Sequence, residues 1–590
     1  MFRIVVVAVL FFLFFIPVLF ANTTYVFGGE IASGIWIKEF SPYKILDSIR
    51  LSNGNGLYIE HGCELLFEDN AAFIISSGSK LIAGISRCPG DPTDSVWFKY
   101  AGDEDDTLVG WDGLRFQDAA KCTLRNSHIS GVVIREPAGY GAIVNNNSEL
   151  IIENCLIQDN IGGGSGGGGV YLESTRPSCI RDCDILNNKS FGHGGGLYVS
   201  GTDVVCIDGN FIDNNELLDG SKDGGGAYIS GSVLFSDNTV TWNKSFHDGG
   251  GLFLNNFSGN VIRPILHFNL AYRRGGALAI AGGEAEIIQA DICYNYSLSL
   301  EGAGVYTLNN GVATFINSII AHNDGGGLWC TSTLMDDCIK VINSTIANNY
   351  SGPGIHIGFT YGGADLLLFN SVVAYNSRSY AACEQILLES TSNLWVDHSF
   401  VNDLSAVCNN GSGSINMIYP DHFIFGSPNF VDTTECNLGF TPGCESGLSP
   451  LIDAGAPYTI YNRDTVWAPL DDYIGNVRYM DFAYDLGAIE NSCLGMLERG
   501  DLPESNSLIS ARPNPFNSTL AIEFQVARES EVSIDIFDVS GRKVETIFCG
   551  RLTRGYHIEK WQSNELSSGV YNIKLVIGGE IFHARATLLK

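Results

Sequence analysis

Between residues 150 and 380 the apolar and polar positions repeat with a long, regular period. Three segments show it most clearly: Asn317 to Asn323 (NSIIAHN), Asn343 to Asn349 (NSTIANN) and Asn370 to Asn376 (NSVVAYN). Aligned on the last asparagine, the pattern puts Asn160, Asn188, Asn215, Asn243, Asn269, Asn295, Asn323, Asn349 and Asn376 in one column, 26 to 28 residues apart. Three residues earlier stands an aliphatic: Ile157, Ile185, Ile212, Val240, Leu266, Ile292, Ile320, Ile346 and Val373, with Ile129 and Phe400 in the same slot of outlying copies. A second column is a glycine followed by an apolar or aromatic pair. It reads Gly169-Val170-Tyr171, Gly196-Leu197-Tyr198, Gly226-Ala227-Tyr228, Gly251-Leu252-Phe253, Gly276-Ala277-Leu278, Gly304-Val305-Tyr306 and Gly327-Leu328-Trp329. Short β-branched or aromatic runs bounded by Gly and Asn predict strands. Helical 3- and 4-residue apolar spacing is absent here.

A period of about 27 residues with two or three short strands is one coil of a parallel β-helix. Coils stack at roughly 4.8 Å, so equivalent residues form ladders. The aliphatic column predicts a continuous buried stack. The asparagine column predicts an internal ladder of side-chain amides that satisfies a tight turn. Glycine supplies positive φ at the corner before the next strand. Leucine-rich repeats have a similar period, but their fixed leucine pattern is missing.

The chain has 590 residues and 69 glycines against 17 prolines. Stacked coils account for both the length and the glycine surplus. The formal charge of −31 repels phosphate backbones, which excludes general nucleic-acid binding. Met1-Phe2-Arg3, an apolar run from Ile4 to Phe20 and Ala21 describe a signal peptide over residues 1–21, with an uncleaved anchor as the alternative. No other stretch is long enough to span a membrane. The 16 cysteines of an exported chain leave two readings, disulfides or small buried hydrophobes. Cys179/Cys183, Cys330/Cys338 and Cys436/Cys444 could close small loops, and Cys155 and Cys183 share a slot on adjacent coils.

The flanks carry a resemblance. Leu57-Tyr58-Ile59-Glu60-His61-Gly62, then Gly110-Trp111-Asp112-Gly113-Leu114, resembles the opening coils of bacterial secreted right-handed β-helix proteins of the pectin-lyase-like fold. Ser449-Pro450-Leu451-Ile452-Asp453-Ala454-Gly455 and Asp485-Leu486-Gly487-Ala488-Ile489-Glu490 resemble the closing segment of the same family. Together they cover residues 25–490. The last 80 or so residues alternate like a small antiparallel β-sandwich. Their Pro513-Asn514-Pro515-Phe516-Asn517, with Ser568-Gly569-Val570-Tyr571, resembles the C-terminal sorting domain of type IX secretion cargo, with a generic immunoglobulin-like module as the alternative. The resemblance implies passage through an outer-membrane secretion machinery to the cell surface or medium. The expected organisation is a leader (1–21), a cap with early coils (22–120), the β-helix with its closing segment (121–490), a linker (491–510) and an immunoglobulin-like sorting domain (511–590). The expected class is all-β.

Fold alone transfers no chemistry. Gly192-His193-Gly194 matches a short polygalacturonase motif, but that family's companion acidic and basic motifs are absent from the neighbouring coils. The residue before the glycine corner is repeatedly charged: Asp223, Asp248, Arg274, Glu301 and Asp324. On stacked coils such a line could cut a glycosidic bond or hold Ca²⁺ through oxygen ligands. Unequal loop lengths leave its register open, and exposed charged turns are ordinary. Tyr171, Tyr198, Tyr228, Phe253, Tyr306 and Trp329 form either a sugar-stacking stripe or wall packing. No cofactor motif is found. The expectation is an exported β-helix protein that acts in adhesion or carbohydrate binding, on a polysaccharide or surface glycan, with polysaccharide lyase or glycoside hydrolase activity along one face as the alternative.

Overall fold

The computed structural model describes residues 23–85, 95–102, 109–135, 139–331, 338–358, 364–377, 383–418, 423–424, 426–430, 449–475, 478, 483–490, 506–512, 516, 519–528, 530–539, 542–552, 555–562 and 566–588. The leader, most of the linker, Cys436, Cys444, Pro513, Asn514, Pro515, Asn517 and the side chain of Cys338 lie outside the described residues. The chain divides into two compact units, Met1–Asn491 and Ser492–Lys590. Among the described residues, no helix is long and apolar enough to cross a membrane.

In the first unit every coil gives one strand to a parallel sheet of 16 strands, from Thr24–Val26 to Phe423–Ile424. Its middle strands carry the aliphatic column in register, from Ile157 through Ile185, Ile212, Val240, Leu266, Ile292, Ile320 and Ile346 to Val373. All nine are fully buried. Ile129 pairs with Ile157 at the start of the column. Phe400 does not join it: Phe400 pairs with Val372, and Val401 follows Val373. One residue of slip reverses a strand side chain, so Phe400 belongs to a different cluster, with Phe430, Leu451 and Leu486.

The nine asparagines form one buried hydrogen-bonded column. Each main-chain N–H donates to the side-chain oxygen of the asparagine one coil on, as from Asn215 to Asn243 at 2.9 Å and from Asn243 to Asn269 at 3.0 Å. The side-chain nitrogen donates back to the carbonyl of the preceding coil's aliphatic, as from Asn243 Nδ2 to Ile212 at 2.8 Å. Gln385 ends the column by accepting from Asn376 Nδ2 at 2.9 Å. Every coil turns sharply here, and the amide replaces the ladder bonds that the turn interrupts.

A second buried ladder, of which the sequence showed only the shared slot of Cys155 and Cys183, changes chemistry along its length. It begins with the stacked thiols Cys155 and Cys183, where the Cys155 N–H meets Cys183 Sγ at 3.5 Å. It continues through Asn210 and Asn238 and later becomes a serine ladder of Ser318, Ser344, Ser371 and Ser399. Cys179 and Cys183 are both free thiols rather than a bonded pair, and Cys179 lies in register with Cys206 instead. A disulfide joins Cys383 to Cys408, with Cα atoms 5.3 Å apart.

The glycine corners are places where backbone meets backbone. Gly249 has φ +67°, and a Cβ on Gly250 would lie 2.4 Å from the carbonyl oxygen of Gly276 and from the carbonyl carbon of Leu270. Only glycine permits both.

His128 is buried against Trp97, with ring centroids 4.1 Å apart. Burial first, and Lys99 second, push its pKa down to about 4. The folded state therefore binds fewer protons than the unfolded chain, whose histidine titrates near 6.5. The stability this supplies is present above pH 6.5 and is lost as pH falls toward about 4. We expect unfolding free energies from urea titrations at pH 7.5 and pH 4.5 to differ by about 2 kcal/mol less in His128→Phe than in the parent.

The described part of the closing segment runs back along the side of the coils: Asn370 Nδ2 donates to Ala456 at 2.6 Å, Asn317 Nδ2 to Asp471 at 2.6 Å, and Gln289 Nε2 to Asp472 at 2.7 Å. Arg478, fully buried, donates to Asn317 Oδ1, to the carbonyls of Gly487 and Ala488, and to Glu490 at 3.2 Å.

The second unit holds a three-stranded and a four-stranded antiparallel sheet. Leu520, Ile522 and Phe524 of the first share one core with Ile534, Ile536, Ile573 and Leu575 of the second. Its first strand, Ser507–Arg512, begins within the stretch read as linker.

Candidate functional site: a cleft at the glycine corners

The strands after the glycine corners turn one residue inward and the next outward. Val170, Leu197, Ala227, Leu252, Leu278, Val305 and Leu328 are the inward rungs. The outward rungs are Tyr171, Tyr198, Tyr228, Phe253, Ala279, Tyr306 and Trp329. The fifth copy slips by one from the sequence alignment: Leu278, not Ala277, takes the inward slot, and Ala279 takes the aromatic one. From Tyr171 to Phe253 the rings lie face to face, 4.7 to 5.3 Å apart and within 5° of parallel. Their faces are covered by one another, so this part of the stripe is wall packing. At Ala279 the stripe breaks, and the rings that flank it, Phe253 and Tyr306, line a cavity of about 750 Å³ together with Ala281.

The charged line of the corners reaches this cavity. Asp248 bridges Arg274, and Arg274 bridges Glu301, in parallel register. Gly224 N–H donates to the Asp248 carbonyl at 3.1 Å, which places Asp223 one step before them. Asp223, Asp248 and Arg274 line the cavity. Glu301 stands at its edge, 3.8 Å from Arg274 Nε. Asp324 does not belong to this line. It bridges Tyr296 and Tyr350, because its coil has lost the corner loop and leaves Asp324 directly after the asparagine column.

Two residues that the sequence reading passed over complete the cluster, His247 and Arg273. Each directly precedes a residue of the charged line, which was the available signal. His247 Nδ1 lies 2.6 Å from Asp223 Oδ1, and Arg273 reaches His247 Nε2 at 2.6 Å. Arginine only donates, so Nε2 accepts and the imidazole proton sits on Nδ1, facing Asp223. His193 joins from the previous coil: its Nδ1 accepts the Asp223 N–H at 3.0 Å, and its ring lies 4.6 Å from that of Tyr228. Burial lowers the His193 pKa, which keeps the ring neutral.

Asp248 is the most enclosed carboxylate of the cluster, with 2 % of its side chain exposed. Its Oδ1 lies 3.5 Å from Arg274 Nε but meets no hydrogen-bond donor among the described residues. Burial raises its pKa, against the opposing pull of Arg274 and His247. Burial works against the charge of Arg274. Asp248, the Tyr306 hydroxyl and Glu301 outweigh that effect and raise its pKa overall. Arg274 donates to the Tyr306 hydroxyl at 3.1 Å and lays its guanidinium 4.8 Å from that ring's centre. It thus covers part of the face that Ala279 leaves open.

Donor atoms of Asp223, His247 and Asp248 lie within 4.8 Å of one another, close enough to surround one divalent cation. Arg273 and Arg274 lie 3.8 and 3.5 Å from the Asp248 carboxylate, and the Nδ1 proton of His247 occupies the nitrogen that would bind. A second group, His267, Asp291 and Cys293, offers no thiolate because Cys293 is disulfide-bonded.

Residues 107–264 match the family model of a right-handed β-helix region, and residues 510–585 match that of a secretion-system C-terminal sorting domain. The chain is a right-handed β-helix protein with a C-terminal sorting domain. As sorting-domain cargo, the β-helix protein is secreted or held at the cell surface, and the secretion machinery is its partner. No curated protein matches it in sequence. Within the sorting domain, Phe516 of the Pro-Asn-Pro-Phe-Asn motif is buried beside Trp561, and its N–H donates to Thr587 at 2.8 Å. The cleft residues from Asp223 to Phe253 fall inside the matched β-helix region, and Arg273 to Thr331 lie beyond it.

Proposed function

We propose that the β-helix protein binds a polysaccharide in the cleft at Ala279. The observation that carries this is the convergence, around one cavity on a secreted scaffold, of two carboxylates, two guanidiniums and the two rings that flank the break in the stripe, Phe253 and Tyr306. Sugars present vicinal hydroxyls, which planar carboxylates and guanidiniums engage in pairs, and apolar C–H faces, which rest on aromatic rings. Asn255, Asn309, Asn310 and Thr331 add amides and a hydroxyl at the rim. The binding test is a glycan array followed by calorimetry on the best ligand, with and without Ca²⁺. Asp248→Asn and Tyr306→Ala should each weaken binding at least tenfold, or about 1.4 kcal/mol. No glycan bound, or equal affinity in both variants, would remove this reading.

One observation favours polysaccharide cleavage as a second reading. Oxygens of Asp223 and Asp248 lie within 4.8 Å of each other, and the pKa of Asp248 is raised. Retaining glycosidases hold their two carboxyl groups about 5–5.5 Å apart, one kept protonated as the acid. New reducing ends that disappear in Asp248→Ala would establish that reading.

A further inference from the structure

Outside the cleft, the parallel sheet that holds the strands after the glycine corners carries an isolated pair of thiols on its outward face. Cys179 and Cys206 sit directly opposite each other on the parallel strands Ser178–Arg181 and Leu197–Asp208. Their neighbours in the same outward column are Ile151 on one side and Leu234 on the other, so each sulfur has one sulfur within a coil's reach along it. Both thiols are free and only half-buried, whereas the stacked Cys155 and Cys183 are buried. Neighbouring parallel strands hold their Cα atoms about 4.8 Å apart, inside the range of about 4.4–6.8 Å that a disulfide spans. Elsewhere on the same scaffold Cys383 and Cys408 are joined at a Cα separation of 5.3 Å. The sorting domain takes the chain to the exterior, where thiols are oxidised.

We propose that Cys179 and Cys206 form a thiol–disulfide exchange site, which small-molecule disulfides outside the cell close into a coil-to-coil staple. Pairing with Cys179 lowers the pKa of Cys206, and pairing with Cys206 raises that of Cys179. Cys206 is therefore the attacking thiolate. It attacks one sulfur of the oxidant, the oxidant's S–S bond breaks, and one thiolate leaves. Cys179 then attacks Cys206 Sγ in the mixed disulfide and expels the second thiolate. The two protein thiols lose two electrons, and their two protons end on the two released small-molecule thiols. The staple ties Ser178–Arg181 to Leu197–Asp208, whose pairing with the following coil shifts register between Gly201 and Val205.

The test uses the intact chain with glutathione disulfide and non-reducing peptide mapping. The expected product is a linked Cys179–Cys206 peptide. The exposed single thiol Cys549 should carry only a glutathione adduct, and the buried Cys155 and Cys183 should stay reduced. The oxidised chain should melt about 2 °C or more above the reduced one. In Cys206→Ser the rise should vanish, and no link should form. Persistent glutathione adducts on Cys179 and Cys206 without a link, or no reaction at either, would overturn the proposal. The peptide map decides this even if a variant is unstable.

Discussion

Asn243→Ala should destabilise the first unit by about 3–5 kcal/mol, among the largest effects that a single side chain here can have. Asn243 is fully buried. Its side-chain oxygen accepts from the Asn215 main-chain N–H at 2.9 Å and from Asn215 Nδ2 at 3.0 Å. Its own Nδ2 donates to the Ile212 carbonyl at 2.8 Å and to Asn269 Oδ1 at 3.1 Å. Alanine removes all four, and it leaves a donor of Asn215 and the Ile212 carbonyl in a dry turn that water does not reach. Each such orphan costs about 1–3 kcal/mol. Asn243→Asp should be no better, although its shape is the same. A carboxylate only accepts, and it would face the Ile212 carbonyl and the Asn269 oxygen with no hydrogen to offer. Asn214, the residue directly before Asn215 of this column, is exposed and its side chain donates to Asn187 Oδ1 at 2.7 Å, so Asn214→Ala should cost about 1 kcal/mol. Urea denaturation of the full-length chain, followed by far-UV circular dichroism, makes the comparison. Equal losses at positions 214 and 243 would show that the buried column is not what holds the coils.

Arg478→Ala should cost a similar amount, about 3–5 kcal/mol, and its effect should be confined to the side segment. The guanidinium has no exposed surface and holds Glu490, whose side chain is 2 % exposed, at 3.2 Å. The same group donates to Asn317 Oδ1 at 2.9 Å and to the Gly487 and Ala488 carbonyls at 2.8 and 3.0 Å. Removing it leaves a buried carboxylate without that counter-charge and three acceptors without those donors. Arg478→Lys keeps the charge but has no planar fork to reach several acceptors at once, so it should recover only part of the loss. Limited proteolysis reads the outcome directly. New cuts should fall between residues 449 and 490 at protease levels that leave the coils before residue 289 intact. Unchanged resistance of that segment would show that other contacts, such as Asn370 to Ala456, are enough to hold it.

Columns that repeat one residue type are readable because the fold demands the same contact at every coil. The asparagine and aliphatic columns are of this kind, and a plain alignment finds them. The second buried ladder hides from the same method. A thiol, an amide and a hydroxyl all serve its turn, so Cys155, Asn210 and Ser318 share no letter. The Cys179–Cys206 pairing was missed for a related reason. Spacing along the chain suggested Cys179 with Cys183, but residues four apart lie on successive strands of one coil, whereas residues 27 apart are direct neighbours.

The cleft shows where local reading ends. Asp223, Asp248 and Arg274 were visible as charged residues before glycines. Whether they meet depends on corner loops of unequal length, which a single chain does not align. The same loops carry Asp324 away. The decisive feature is an absence: Ala279 stands where Tyr228, Phe253 and Tyr306 stand on their own coils, and a missing ring has no sequence signature until the register is known.

The sequence by itself determined the repeating coil, its buried columns, the glycine corners and the sorting domain. The first three rest on contacts between a residue and its counterpart one period away, and the sorting domain rests on its strand alternation and its motif. Tertiary structure alone decided the cleft, the side course of residues 449–490 and the thiol pair. Each of these depends on the lateral register between unlike coils, which loop lengths set and which no single period encodes.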